Sequence, residues 1–296
     1  MEGAEVLVTG ASGFTGRHLI QALKREGCRV VALGLRASEA DVSIQCDLTD
    51  SDAVRKALST CSPTYVVHLA ALSFVAHGDP EAFYRVNVLG TLNLLEAVAG
   101  QDASPKKILI ASSANVYGQP DQSVLDEQTC PAPVNHYACS KLAMEHMVRT
   151  WFERLPIVIT RPFNYTGPGQ DGRFLVPKII DHFRRRESQI ELGNLDVSRD
   201  FSDVSDVVAA YVALLTSPVS SATVNICSGV AISLREIVEM AEEMAGYRID
   251  IHVNPAFVRK NEIPSLRGDN ALLRKLVGSA PATPLRETIA RMLHPG

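Results

Sequence analysis

Short runs of consecutive apolar residues recur along the first half of the chain, at residues 6–9, 30–33, 42–46, 65–69, 107–111 and 157–160, with helically spaced apolar positions between most of them. Runs of this length bounded by turn residues read as strands buried on both faces. An apolar stripe such as Leu19, Ile20 and Leu23 reads as a helix lying against them. Alternating strand and helix predict an α/β fold with a parallel sheet covered on both sides. Beyond Pro162 the pattern changes to loops dense in Gly and Pro, as in Thr166-Gly167-Pro168-Gly169, with short strands and isolated helices near residues 204–215 and 234–244. The second part is expected to cap the carboxyl edge of the sheet, where open α/β sheets bind ligands. The expected division is residues 1–162, with a returning strand and helix near 200–228, and a smaller, discontinuous α/β cap within 163–296.

Composition changes this picture only by exclusion. Of 296 residues, 46% are hydrophobic and 21% charged, which is ample material for a folded core. The net charge of -4 argues against a nucleic-acid surface, and Arg184-Arg185-Arg186 reads as the solvated end of a helix. The six cysteines (Cys28, Cys46, Cys61, Cys130, Cys139 and Cys227) form no Cys-x-x-Cys pair. They are expected to be small buried hydrophobes in a reducing compartment, with no structural metal. His68, His136 and the other histidines follow no metal-ligand spacing and read as structural. Neither a leader-like succession nor a span-length apolar run is present, so a cytoplasmic protein without a membrane partner is expected.

The first chemical signal is the passage from the apolar run Val6-Leu7-Val8 into Thr9-Gly10-Ala11-Ser12-Gly13-Phe14-Thr15-Gly16. Glycines spaced three apart let the chain turn sharply and approach a pyrophosphate, whose charge then rests on the amides that open the next helix. A strand before, an amphipathic helix after and a second strand near residue 30 give the strand, helix, strand unit of a Rossmann-type doubly wound sheet. The expected guest is a dinucleotide.

Tyr137-Ala138-Cys139-Ser140-Lys141 sets a phenol and an ammonium one helical turn apart on the same face. A phenol near pKa 10 exchanges protons poorly at neutral pH, and a close cation is expected to lower that value. Ser113, in Ala111-Ser112-Ser113-Ala114-Asn115-Val116-Tyr117-Gly118, stands at the end of the fifth predicted strand and so at the ligand edge. Its hydroxyl can bond a substrate oxygen that Tyr137 protonates, or it can simply cap a turn.

With the glycine loop, the strand-end serine and the Tyr/Lys pair in this order, the chain resembles the extended short-chain dehydrogenase/reductase family almost from end to end. Matching segments include His68-Leu69-Ala70-Ala71, Asn87, Arg161-Pro162-Phe163-Asn164 and Arg199-Asp200-Phe201. Within the family the likeness is to the GDP-4-keto-6-deoxy-mannose reductases. It is carried by Leu72-Ser73-Phe74-Val75, Phe163 through Gln170, Asp196 through Phe201, Asn225-Ile226-Cys227-Ser228-Gly229, and Arg259 through Gly268. The related GDP-mannose 4,6-dehydratases share Leu192-Gly193-Asn194 and Asn254-Pro255-Ala256-Phe257. The expected Gly-Trp-x-Pro turn near the carboxyl end is absent, because Val277-Gly278-Ser279-Ala280-Pro281 has no Trp.

The resemblance implies a nucleotide-sugar enzyme with Ser113, Tyr137 and Lys141 as catalytic residues. Cofactor contacts are implied for Gly10, Ser12, Gly13, Phe14, Thr15, Gly16, Asp47, Leu48, Leu69, Ala70, Ala71, Asn87, Tyr137 and Lys141. Substrate contacts are implied for Ser73, Ser113, Asn115, Asn164, Lys178, Arg199, Arg259, Glu262 and Arg267. Where NAD-binding relatives end the second strand in an acid, this chain has Leu33-Gly34-Leu35-Arg36. Arg36 can accept a 2'-phosphate, which favours NADP(H) over NAD(H), or it can be an ordinary surface arginine.

A 4,6-dehydratase carries a carboxylate two positions after its hydroxyl residue. Here that position is Asn115, which cannot act as the base, so dehydration is disfavoured. The expected reaction is NADP(H)-dependent reduction of the 4-keto group of an NDP-4-keto-6-deoxyhexose, GDP-4-keto-6-deoxy-D-mannose to GDP-D-rhamnose foremost. A 4-epimerase and a non-catalytic NADP-binding regulator remain as alternatives. Relatives pair through helices matching residues 80–99 and 136–153, so a homodimer or higher homo-oligomer is expected.

Overall fold

The computed structural model describes residues 1–73, 79–120, 122–257, 265–278 and 283–294. Its strands in chain order are β1 (Glu5–Thr9), β2 (Arg29–Gly34), β3 (Val42–Gln45), β4 (Tyr65–His68), β5 (Lys107–Ala111), β6 (Val124–Leu125), β7 (Ile157–Pro162), β8 (Asn164–Thr166), β9 (Gln189–Leu192), β10 (Ser198–Asp203), β11 (Ala222–Ile226), β12 (Ala231–Ser233), β13 (Asp250–Val253) and β14 (Ser265–Gly268). The α-helices are α1 (Phe14–Arg25), α2 (Ser51–Leu58), α3 (Pro80–Tyr84), α4 (Gly90–Ala99), α5 (His136–Arg149), α6 (Leu175–Arg184), α7 (Val204–Thr216), α8 (Leu234–Ala245), α9 (Ala271–Val277) and α10 (Leu285–Leu293).

The apolar runs became strands because burial on both faces leaves no place for polar alternation. The six of them, joined by β11, form one seven-stranded parallel sheet in the order β11-β7-β5-β4-β1-β2-β3. Alternate residues of β1 serve opposite faces: Val6 and Val8 pack with Leu19, Ile20 and Leu23 of α1 and with Val207, Tyr211 and Leu214 of α7. Leu7 packs on the other side with Val54 of α2, Leu94 and Leu95 of α4, and Met144 and Val148 of α5. The sheet order steps outward from β1 in both directions, which opens a crevice at the carboxyl ends of β1 and β4.

A second sheet runs β12-β10-β14-β6, with β8 also paired to β10. A third core joins α6, α8 and α10 through Ile179, Phe183, Ile237, Val238 and Ile289. Asp200 on β10 is fully buried and gathers this half: its carboxylate accepts from Ser228 N and Oγ, Gly229 N and Gly268 N at 2.7–3.2 Å.

All six cysteines are free thiols. Cys28, Cys46 and Cys227 are buried as expected, but Cys130 is exposed because it sits in a proline-flanked loop rather than in an apolar element. Among the described residues no helix is long and apolar enough to cross a membrane, and no cluster of His, Cys, Asp or Glu could hold a metal ion.

Candidate active site

The glycine loop bridges the end of β1 and the start of α1. Gly10 has φ 69°, and a Cβ there would fall 2.7 Å from the Ala70 nitrogen; a Cβ on Gly16 would collide with the backbone of Gly10 and Ala11. Side chains at either position would fill the cradle that brings β1, the segment after β4 and α1 together. Gly13 caps α1 in an extended conformation without any side-chain bond to the first turn, so the opening N–H groups suit an anionic phosphate. These features fit a dinucleotide.

Asn87 is fully buried and braces this cradle. Its Oδ1 accepts from Leu72 N at 2.9 Å, while Nδ2 donates to Leu72 O and to Ser140 Oγ at 3.2 and 3.0 Å. It therefore acts on the site through Leu69-Ala70-Ala71-Leu72 and through α5. Arg36 is exposed just past the end of β2. Asp47 is exposed and its Oδ1 accepts from Thr49 N and Oγ1, both at 2.9 Å; the cap of α2 is Asp50 instead. Leu48 is buried against Gly90.

Ser113, Tyr137 and Lys141 come together at the end of β5. Ser113, two residues past the strand, is extended and caps a 3-10 turn, Ala114–Tyr117, so the capping reading of this residue is met. Its Oγ accepts from Asn115 N and Nδ2 at 3.2 and 3.1 Å. With both lone pairs engaged, the Ser113 hydroxyl has its proton left to offer, and its effect on Tyr137 is to favour the phenolate. Asn135 caps α5 by accepting from Ala138 N at 2.9 Å, which sets Tyr137 at the first turn.

Burial nonetheless pushes the Tyr137 phenol up to about 12, outweighing Ser113. The expectation that Lys141 lowers it is not met in this arrangement, because the ammonium donates to Ala111 O at 2.8 Å. Burial draws Lys141 down to about 8, and Glu145 opposes that shift.

Glu145 is a buried neighbour of Lys141 that the sequence reading misses, although it follows that lysine by one turn on the same face. Its carboxylate, fully buried, accepts from Ser112 Oγ at 2.6 Å and from Arg161 Nε and Nη2 at 2.9 and 2.6 Å. A carboxylate four residues after the lysine, on a buried helix face, was the available signal. Arg161 also lies over the Tyr117 ring, 4.8 Å from its centroid. Burial disfavours its charge, but Glu145 more than offsets that and raises its pKa.

The implied substrate residues are more dispersed. Asn164 on β8 donates through Nδ2 to Asp200 O at 3.2 Å. Arg199 and Arg267 lie on the paired strands β10 and β14; Nη1 of each reaches a carbonyl, Ser198 at 2.8 Å and Gly229 at 3.1 Å. Lys178 on α6 donates to Glu191 O at 2.8 Å and stands over Phe257. It lines an open cavity with His182, Glu191 and His252, none of which belongs to the serine, tyrosine and lysine group. Ser73 is exposed, and Arg259 and Glu262 lie outside the described residues.

Residues 7–292 match the GDP-mannose 4,6 dehydratase family. The GDP-6-deoxy-D-talose 4-dehydrogenase of Aggregatibacter actinomycetemcomitans is 38% identical over 275 residues, 93% of this chain and 92% of that protein. The GDP-6-deoxy-D-mannose reductase of Pseudomonas aeruginosa is 35% identical over 299 residues, 97% of this chain and 95% of that one. Among solved structures, RMD from Pseudomonas aeruginosa complexed with NADPH superposes with TM-score 0.87 at 32% identity, covering 98% of this chain and 96% of that one. The Thermus thermophilus UDP-glucose 4-epimerase complex with NAD gives 0.84 at 28% identity, covering 98% and 97%. Family match, parallel sheet, glycine cradle and the clustered serine, tyrosine and lysine agree: the chain belongs to the GDP-mannose 4,6 dehydratase family and is an NAD(P)-dependent oxidoreductase of the extended short-chain dehydrogenase/reductase type.

Proposed function

We propose that the chain catalyses NADP(H)-dependent reduction of the 4-keto group of a GDP-linked 4-keto-6-deoxyhexose, foremost GDP-4-keto-6-deoxy-D-mannose to GDP-D-rhamnose. The observation that carries this reading is the placing of the Tyr137 phenol with Ser113 and the buried Lys141 ammonium, at the carboxyl edge of the sheet next to the glycine cradle. The relatives at 38% and 35% identity are named for GDP-linked sugars that differ in configuration at C4, which supports chemistry at that carbon. Dehydration is disfavoured because Asn115 stands where a carboxylate base is needed; here it serves Ser113 as a donor.

When bound, the dinucleotide supplies the hydride that reduces the C4 carbonyl. Tyr137 gives its proton to the carbonyl oxygen, which completes the alcohol, and Ser113 steadies the charge that develops on that oxygen. Lys141 holds the nicotinamide ribose and, once its charge faces the phenol, draws Tyr137 down from the value that burial imposes. Arg36, with no acid at the end of β2, favours the 2'-phosphate of NADP(H) over NAD(H). Residues 1–162 with the elements near 200–228 form the cofactor half in this reading. The remainder of 163–296 holds the sugar nucleotide, and the chain self-associates through helices within 80–99 and 136–153.

The deciding experiment follows NADPH oxidation at 340 nm with GDP-4-keto-6-deoxy-D-mannose and identifies the sugar by NMR. Stoichiometric oxidation with a C4 alcohol as product supports the reading. Interconversion of C4 epimers without net NADPH consumption replaces it with a 4-epimerase, and binding of NADPH without turnover on any 4-keto sugar nucleotide replaces it with a regulator.

A further inference from the structure

The first turn of α1, which faces the proposed pyrophosphate, also grips the segment that follows Asn164. Thr15 Oγ1 and the Tyr165 hydroxyl are 2.8 Å apart, and either can donate. The Phe14 and Tyr165 rings are stacked, 11° apart in plane with centroids 6.1 Å apart. His18 Nε2 meets the Pro168 carbonyl oxygen at 3.0 Å, and Arg17 Nη2 donates to the Gly169 carbonyl oxygen at 2.8 Å. Gly167 permits this approach, since a Cβ there would fall 2.6 Å from Val204 Cγ1 and 3.7 Å from the Phe14 ring.

Tyr165 is the middle residue of β8, so whatever fixes its hydroxyl fixes the backbone beside Asn164. The pairing of β8 with β10 carries that constraint to Phe201, Ser202 and Asp203, directly after Arg199 and Asp200. The Thr15 hydroxyl owns one proton and two lone pairs. An anion at the α1 N-terminus favours the orientation in which that proton turns toward the anion, and Tyr165 must then be the donor to Thr15. Burial raises the Tyr165 pKa and keeps the proton it needs for this role. The direction of one hydrogen bond is thus a two-state element that both ligands can bias.

We propose that Thr15 and Tyr165 are a positioning pair that couples the two ligand sites, so that the dinucleotide and the nucleotide sugar each tighten the binding of the other. The coupling rests on the function proposed above. It also implies that the sugar nucleotide meets its full affinity only after the dinucleotide has settled on α1.

The test uses the full chain and isothermal titration of GDP, with and without saturating NADP+. Wild type is expected to bind GDP about five- to tenfold more tightly with NADP+ present, and linkage requires the same factor for NADP+ in the presence of GDP. Tyr165→Phe keeps the stacked ring and loses only the donor. It is expected to bind GDP alone about as wild type does, with coupling reduced to less than about twofold. Thr15→Val should match it, the double variant should add nothing further, and Thr15→Ser should restore the coupling.

Coupling that survives in both Tyr165→Phe and Thr15→Val overturns the proposal, as does a wild type that binds both ligands independently. A wild type that binds neither ligand overturns the proposed function first, and the pair with it. Melting curves confirm that each variant is folded; should Tyr165→Phe fail that check, the contrast between Thr15→Val and Thr15→Ser decides alone.

Discussion

The Lys141 ammonium donates to the carbonyl oxygen of Ala111 at 2.8 Å, which holds a buried charge at the end of β5, two residues before Ser113. Burial draws the lysine down to about 8, against about 10.4 for an unfolded lysine. Between those values the unfolded chain binds the extra proton, so stability rises with pH across that window, and the full cost of the charge is felt below it. Lys141→Met should therefore melt higher than wild type at pH 7, by an amount on the order of 2 kcal/mol, while losing activity. The gap should close as pH rises from 8 toward 10. Calorimetry at pH 7 and 9.5 checks both statements; a variant less stable at pH 7 would mean that the bond to Ala111 outweighs the burial cost.

Tyr137 is the proton donor in the proposed reduction, and Ser113 favours its ionised form against the effect of burial. Tyr137→Phe keeps the ring packed against Phe83, so the helix and the cradle should remain intact. Turnover should fall by about 10²- to 10⁴-fold, the usual contribution of a positioned acid, with NADP(H) affinity within about twofold of wild type. Stopped-flow turnover and fluorescence titration measure the two separately.

Much of this architecture was legible in the sequence because buried parallel strands announce themselves as apolar runs. The six predicted at 6–9, 30–33, 42–46, 65–69, 107–111 and 157–160 are observed as Glu5–Thr9, Arg29–Gly34, Val42–Gln45, Tyr65–His68, Lys107–Ala111 and Ile157–Pro162. The helices near 204–215 and 234–244 are Val204–Thr216 and Leu234–Ala245. Strand β10, by contrast, reads Ser-Arg-Asp-Phe-Ser-Asp, and nothing local marks it as a strand; it exists because Asp200 collects donors from residues 228, 229 and 268. The Thr15 to Tyr165 contact spans 150 residues, and no periodicity within either segment encodes it. The pKa of Tyr137 escapes the sequence for a similar reason: spacing places an ammonium on the same helix face but does not say which carbonyl that ammonium chooses.

Glu145 and Arg161 make the contrast between buried and exposed pairs measurable. Glu145 has no exposure and engages Arg161 through both oxygens. Glu145→Ala leaves a guanidinium buried without its anion and should cost about 3–5 kcal/mol in chemical denaturation. Glu81→Ala, which breaks the solvent-exposed pair with Arg85, should leave the denaturation midpoint essentially where it is in wild type. Equal losses at the two positions would contradict the burial argument.

Arg36 is exposed beyond the end of β2, where no carboxylate repels a 2'-phosphate. Arg36→Ala should raise the KM for NADPH by about tenfold while leaving that for NADH within about twofold. Comparing the two cofactors in steady-state assays separates a phosphate contact from a general loss of folding, which would move both. Unchanged NADPH kinetics would reduce Arg36 to a surface charge.

His68 is buried, and its protonation can be deduced from its neighbours. Thr91 Oγ1 donates its proton to Asn87 O at 2.7 Å, so it can only accept from His68 Nε2, 2.8 Å away. Thr9 Oγ1 accepts from Ala70 N at 3.2 Å and lies 2.7 Å from His68 Nδ1. Burial, reinforced by the Lys141 charge, lowers the ring's pKa to about 3, so the ring is neutral and, with Nε2 donating to Thr91, its Nδ1 accepts the Thr9 proton. An unfolded histidine titrates near 6.5, so between that value and 3 the unfolded chain binds the extra proton. Stability from this residue is complete above pH 6.5 and is lost as the pH falls toward 3. Two-dimensional nitrogen-proton spectra should show the Nε2–H tautomer of His68 unchanged from pH 7.5 to 5. His68→Phe should flatten the acid limb of the stability profile between pH 6 and 4, yet lower stability at pH 7 because Thr9 and Thr91 lose their partner. A His68 resonance that titrates near 6.5 would mean that the chain of bonds from Ala70 through Thr9, His68 and Thr91 to Asn87 is not maintained in solution.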